Sequence, residues 1–357
     1  RGTSKYVLND FAGATIDLEK AKATEGESPD LIKMLGVGYY MLGKKDLALL
    51  NLEKSFKAGE KDSKVALYTG YLRFENNDFK GTSDALTAAE AAGEKEDDLY
   101  LKRGKAFFQQ KNYAATIIDL EKTTAKNKAD LAAFEALAMS YLLTQKEKEA
   151  LPHLEKAASL ESKNKEIYFH LGNGRFKLNN YAGAIEAYDK SIALGTNDEV
   201  IYNNRGKAKL NAGLVKESVS DFDRAIGMKK DYIQALKNRA LARYQLKEYA
   251  GVIADASIIS ARGEAGPEEF AMLGISKYMT KDFQGAVTDL SKAIETGSKD
   301  ILVYVARGSS LFEIKEYEKS IPDLSKAIES GETGTELFYK RGAAKSQLKD
   351  YKGAFTD

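Results

Sequence analysis

The sequence contains no cysteine and no tryptophan, and only two histidines, His153 and His170. Without cysteine there is no disulfide framework, no thiolate metal site and no cysteine nucleophile. The histidines stand seventeen residues apart, each without a second histidine at helical spacing. A metal centre needs more convergent ligands than that, so neither is read as one. Charge of a single sign is missing too: Lys plus Arg is 54, Asp plus Glu is 53, and the net charge is +1. No global field would draw nucleic acid or an anionic membrane. No apolar run approaches the roughly 18 residues that span a bilayer, so direct membrane insertion is not expected. No nucleophile motif stands out. The Gly-x-Gly sequences at 36–38 and 172–174 have no preceding strand and make no dinucleotide loop. No catalytic residue, cofactor or metal is expected.

What the chain does have is a period. From Gly2, every thirty-fourth residue is glycine or alanine: Gly2, Gly36, Gly70, Gly104, Ala138, Gly172, Gly206, Ala240, Gly274, Gly308 and Gly342. There is no insertion or deletion across 357 residues. Such a period marks a solenoid of stacked supersecondary units, each touching only its neighbours. With the register glycine at position 8, a truncated repeat covers 1–28, full repeats cover 29–334 and a second truncated repeat covers 335–357. The expectation is one continuous array cut from a longer protein.

Each unit reads as helix, turn, helix, turn. In 165–198, Ile167, Phe169, Leu171 and Phe176 recur at helical spacing, then Tyr181, Ala184, Ile185, Tyr188 and Ile192 do so again after a polar break. Six repeats place a capping side chain at position 16: Asp10, Asp78, Asn112, Asn180, Asp282 and Asp350. Position 31 is glycine in six (Gly59, Gly93, Gly195, Gly263, Gly297, Gly331) and asparagine at Asn127, as expected of a helix terminator. Pro29 and Pro267 fall on position 1, where a helix tolerates proline. Pro152 and Pro322 fall on position 22, about one turn into the second helix, where a bond is lost or a slight bend introduced. Small residues at 8, 20 and 27 let backbones approach. One repeat exchanges Ala256 and Ile259 between positions 24 and 27, which roughly conserves volume and reads as local repacking.

This pattern resembles the tetratricopeptide repeat. Leu171-Gly172, Ala184, Tyr188 and Ser191 match that family's consensus, and comparable matches cover the chain. Two departures recur: the family's aromatic at 11 is often basic here, with an aromatic at 12, and its proline at 32 is absent. The resemblance implies an all-α solenoid, a right-handed superhelix of about ten and a half repeats, with first helices lining a concave groove. It also implies that positions 2, 5, 6, 9 and 13 face that groove. Repeats 2 to 5 would offer apolar surface there through Met34, Val37, Met41, Leu67, Tyr68, Tyr71, Leu101, Met139 and Leu143. Farther on, Phe169 and Asn173 lead into a polar stretch that includes Asn203, Asn204, Lys207, Lys237 and Asn238. Its amides suit a peptide backbone, since they both donate and accept. The same polarity also serves solubility alone, and both readings stand.

Asn204 and Asn238 share position 6, like two rungs of the asparagine ladder of O-linked N-acetylglucosamine transferases. The two-carboxylate clamp of heat-shock co-chaperones fits worse, with Phe169 where that clamp has lysine, which argues against acidic C-terminal tails as ligands.

Arginine stands at position 7 in Arg1, Arg103, Arg205, Arg239, Arg307 and Arg341, and aspartate follows sixteen residues later each time: Asp17, Asp119, Asp221, Asp255, Asp323 and Asp357. Of the five repeats without that arginine, only one has the aspartate, Asp289. The planar, permanently charged guanidinium suits a structural bridge between the two helices of a repeat. A ladder of ligand-binding arginines is the alternative.

The chain therefore reads as a non-catalytic adaptor that holds an extended peptide or a helix of another protein in its groove. Its uniform repeats and Lys/Asn-rich composition suggest a bacterial envelope or secretion assembly. A regulatory arm of a larger enzyme is the competing class, and self-association through the end repeats a third expectation. Compartment and partner identity are not legible.

Overall fold

A computed structural model describes residues 1–126 and 128–357. Asn127, expected to terminate a helix, lies outside the described residues. Among those residues there are 22 helices and no strand. First helices are α1 (Gly2–Val7), α3 (Pro29–Met41), α5 (Ser63–Glu75), α7 (Asp97–Gln109), α9 (Leu131–Leu143), α11 (Lys165–Lys177), α13 (Glu199–Asn211), α15 (Ile233–Gln245), α17 (Pro267–Met279), α19 (Ile301–Glu313) and α21 (Thr335–Gln347). Second helices are α2 (Phe11–Glu25), α4 (Lys45–Lys57), α6 (Phe79–Ala91), α8 (Tyr113–Thr124), α10 (Glu147–Ser159), α12 (Tyr181–Ala193), α14 (Val215–Met228), α16 (Tyr249–Ala261), α18 (Phe283–Glu295), α20 (Tyr317–Glu329) and α22 (Tyr351–Thr356). Pro152 and Pro322 sit inside α10 and α20 without ending them.

Local chemistry sets these boundaries. All six expected caps at position 16 accept an amide hydrogen from three residues on, as Asp78 does from Gly81 at 2.9 Å and Asn180 from Gly183 at 3.0 Å. All six position-31 glycines have positive φ, between 72° and 106°. Position 15 is left-handed in every repeat as well, a feature the sequence reading treats only as a polar break. There Asn9, Asn77 and Asn179 share the conformation with Gly43, Gly213, Gln145 and five lysines, among them Lys281 and Lys315. The residue after it closes a six-to-one turn, as in Asp78 N–H to Arg73 carbonyl at 2.9 Å.

The chain forms two compact units, Arg1–Gly174 and Arg175–Asp357. In the first, consecutive helices from α1 to α10 pack pairwise, and α1, α3, α5, α7 and α9 also pack on one another in turn. In the second, consecutive helices from α12 to α22 pack, and α13, α15, α17, α19 and α21 touch in turn. Among the described residues, no second helix touches the next second helix. Close approach on one side and divergence on the other bends each stack, with its first helices on the inner side.

Glycine at position 8 permits the closeness of each pair. A β carbon on Gly70 would lie 2.4 Å from the Leu86 side chain, and one on Gly274 would lie 2.5 Å from Leu290. Leu86 and Leu290 are fully buried, as are Leu52 and Leu120 in the same register position. Each such leucine contributes about 1.5–3 kcal/mol relative to exposure. The exchanged Ala256 and Ile259 are both fully buried too, so that repeat keeps its core.

The arginine–aspartate pairs form as expected within repeats. Arg103 donates to Asp119 through Nε and Nη2 at 2.7 and 2.9 Å, Arg205 to Asp221 at 2.9 and 2.5 Å, Arg239 to Asp255 at 2.9 and 2.6 Å, and Arg307 to Asp323 at 2.7 and 2.9 Å. Arg341 grips Asp357 in the same two-pronged way, while Arg1 lies 3.4 Å from Asp17. The third prong reaches out of the repeat. Nη1 of Arg103, Arg205, Arg239, Arg307 and Arg341 donates to Thr87, Asp189, Asp223, Ser291 and Ser325, each at position 25 of the preceding second helix. One guanidinium thus ties three helices, which a lysine ammonium has no planar fork to do.

The basic residue at position 11 joins the same carboxylate. Lys5, Lys209, Arg243, Lys277 and Lys345 lie 2.6–2.9 Å from Asp17, Asp221, Asp255, Asp289 and Asp357. Asp289, which has no position-7 arginine, is held by Lys277. Where position 23 is alanine, Arg73 and Arg175 donate instead to the Gly81 and Gly183 carbonyls.

Candidate partner-binding face

On the inner side of the first unit, α5, α7 and α9 enclose a cleft of about 360 Å³. Phe74 and Phe108 from position 12 and Met139 from position 9 supply apolar walls, with Lys105, Gln109 and Glu135 adding polar groups. The two rings are set by the turn that follows each helix: Phe74 meets Phe79 at 6.2 Å and Phe108 meets Tyr113 at 6.1 Å between centroids. Lys105 is tied to Asp130 at 2.5 Å, and Glu135 accepts from the Ser162 hydroxyl at 2.5 Å. Beside the cleft, the Lys102 ammonium lies 5.2 Å from the Tyr71 ring centre and 5.7 Å from that of Phe74.

Of the apolar groove residues expected in this unit, Met41 and Leu143 are exposed, while Met34, Leu101 and Met139 are half-buried. Val37, Leu67 and Tyr71 are buried, a correction to their expected exposure. Positions 5 and 9 of these helices pack where first helices meet, so their side chains become core. Tyr71 donates its hydroxyl to Glu96 at 3.1 Å, and burial together with that carboxylate pushes its pKa well up. Tyr68 is half-buried and stacks on Tyr40 at 4.0 Å and 13°. Phe169 and Asn173 are half-buried, Phe169 with its ring edge-to-face against His170 at 5.2 Å. His153 stacks on Tyr141 at 5.7 Å.

In the second unit the amides turn inward. Asn203 and Asn238 are buried, and Asn238 Nδ2 donates to Asn203 Oδ1 at 2.9 Å, joining α13 to α15. Asn203 donates in turn to Asn204 at 3.3 Å. Positions 5 and 6 of adjacent first helices face each other here, so this pair serves the interface rather than the surface. Asn204 is half-buried, Lys237 lies 3.4 Å from Glu269, and Lys207 is exposed with its ammonium 5.3 Å from the Phe176 ring. Among the described residues, no cluster of His, Asp and Glu could hold a metal, and no helix is long and apolar enough to cross a membrane.

Residues 135–199 match the sequence profile of the tetratricopeptide repeat. That stretch, about two of the 34-residue units long, has the tetratricopeptide repeat pattern. Solved structures of similar chains include YrrB, a TPR protein with an unusual peptide-binding site. It is 17% identical, the match covers 53% of this chain and 97% of that one, and the TM-score is 0.46. MamA is 23% identical over 47% of this chain and 92% of its own, with a TM-score of 0.37. A tetratricopeptide repeat protein from Parabacteroides merdae is 17% identical over 70% and 98%, with a TM-score of 0.35. A search of curated proteins returns no match. The tetratricopeptide fold is in general a protein–protein interaction scaffold without catalytic activity.

Proposed function

We propose that this chain is a scaffold that holds an extended segment or a helix of a partner protein along its first helices, with the cleft of α5, α7 and α9 as the anchor. The bacterial envelope or secretion setting suggested by composition belongs to the same proposal. The cleft carries the reading: it sets two aromatic rings and a methionine beside polar groups on the inner side of a rigid helix stack. Binding sites for protein segments combine an apolar floor with a few fixed polar groups in this way.

Affinity for a partner captured by the chain tests the proposal. Phe108→Ala should weaken it at least tenfold, and so should Gln109→Arg, whose exposed site leaves the fold intact. Ile118→Ala, on the outer surface at 61% exposure, should leave it unchanged. Unchanged affinity in both cleft variants would overturn the anchor.

A further inference from the structure

The inner side of the second unit carries a different surface. On α17, Met272 is half-buried and Met279 is 48% exposed; on α19, Leu302 is 48% exposed; on neighbouring α15, Leu241 is 41% exposed. These three helices pack side by side. Isolated exposed apolar residues are ordinary, but a set shared by adjacent first helices on one inner side is a patch. Methionine adds adaptability, since its unbranched chain conforms to varied apolar partners.

The edges of this patch are acidic. Glu268 at the start of α17 is exposed and has no ion-pair partner among the described residues. Glu313, at the end of α19, and Glu336, at the start of α21, share one cation, Lys340, at 3.1 and 2.8 Å. Lys340 is itself buried, with its ammonium 5.8 Å from the Tyr278 ring centre. A second lysine at an inner position of these helices, Lys237, is committed to Glu269. At the inner positions of these first helices both lysines are therefore paired internally and Glu268 is left over, while exposed Lys281, Lys299 and Lys315 stand in the flanking turns.

From that juxtaposition we infer that the inner face of α15, α17 and α19 docks a cationic amphipathic helix of a partner. Its apolar stripe would cover Met272, Met279 and Leu302, and its lysines or arginines would meet Glu268, Glu313 and Glu336. Helices packed about 8–10 Å apart give the patch a span of about 20 Å, comparable to the length of each 13-residue helix, enough for three to four turns of a ligand helix. The inference shares the scaffold reading but uses none of the cleft residues.

The test titrates the full chain with a labelled synthetic peptide of about 18 residues, leucine on one helical face and lysine on the other, at two salt concentrations. A second peptide carries glutamate in place of lysine. The lysine peptide should bind and the glutamate peptide should bind at least tenfold more weakly. Met279→Ser with Leu302→Ser should lower affinity at least tenfold. Glu268→Lys, which breaks no internal ion pair, should lower it several-fold and flatten the salt dependence. Phe108→Ala should leave binding unchanged, which separates this face from the cleft. No binding of the lysine peptide, equal binding of both peptides, or binding indifferent to the α17 and α19 variants would overturn the inference.

Discussion

Lys277 holds the carboxylate of Asp289 at 2.6 Å in the one repeat that keeps aspartate at position 23 while leucine, Leu273, replaces the arginine at position 7. The aspartate is nearly buried, with 7% of its side chain exposed, and among the described residues Lys277 is its only ion-pair partner. In several other repeats two cations share the same duty, as Arg205 and Lys209 do for Asp221.

The two lysines should therefore differ in worth. Lys277→Met leaves a carboxylate buried without compensation and should cost about 2–4 kcal/mol. Lys209→Met leaves Arg205 in place and should cost under about 1 kcal/mol. Urea unfolding of the two variants checks this, and equal losses would contradict it.

Removing the acid should be the larger loss where the fork spans three helices. Asp221→Ala strands Arg205 and Lys209 and should destabilise by about 3 kcal/mol. Glu199→Ala, which loses only a 3.7 Å contact with exposed Lys229, should change stability by under about 0.5 kcal/mol. Hydrogen exchange should show the Asp221 effect spreading into α12, because Arg205 also donates to Asp189.

Much of this was legible in the sequence, and the limits have a physical form. Period, helix pairs, the caps at Asp78 or Asn180 and the Arg205–Asp221 pair all lie within one repeat, so spacing reveals them. The Arg205–Asp189 and Asn238–Asn203 contacts join neighbouring repeats and exist only once helices stack. Tyr71 and Leu67 were expected on the surface because positions 5 and 9 were assigned to the groove; where first helices touch, those positions become core. The aromatic at 12, in Phe74 and Phe108, reads from sequence as a displaced consensus residue, but its place in the cleft depends on three helices together.

The left-handed residue at position 15 gives a separate test. Lys315 has φ 66° and Gly213 has φ 81° at equivalent places. A side chain in that conformation costs on the order of 1 kcal/mol, so Lys315→Gly should be neutral to stabilising and Gly213→Ala destabilising by about that amount. Thermal melts of both variants decide it, and a loss in Lys315→Gly matching that in Gly213→Ala would contradict it.

Both histidines should make the fold acid-sensitive. Burial pushes His153 and His170 below the ordinary imidazole value of 6.5, with Glu121 opposing at His153 and Glu166 and Glu147 opposing at His170. The unfolded chain then binds these protons more tightly than the fold, so the stability is present above pH 6.5 and is lost as pH falls through the folded values. Melting temperature should drop on acidification from pH 7 to 5, and His153→Phe with His170→Phe should flatten that drop. Asp357, held below the usual aspartate value by Arg341 and Lys345 against the opposing effect of burial, acts at lower pH still. An unchanged slope in the double variant would remove the histidines from the account.

The most direct test of the scaffold reading is a photo-crosslinking scan in cells that express the chain. A photoreactive residue is placed in turn at Gln109 and Leu143 on first helices, and at Asp84 and Ile118 on the outer surface of second helices. Adducts with a partner protein should form from Gln109 and Leu143 and be absent from Asp84 and Ile118. Adducts confined to the outer positions would contradict the claim that partners lie along the first helices.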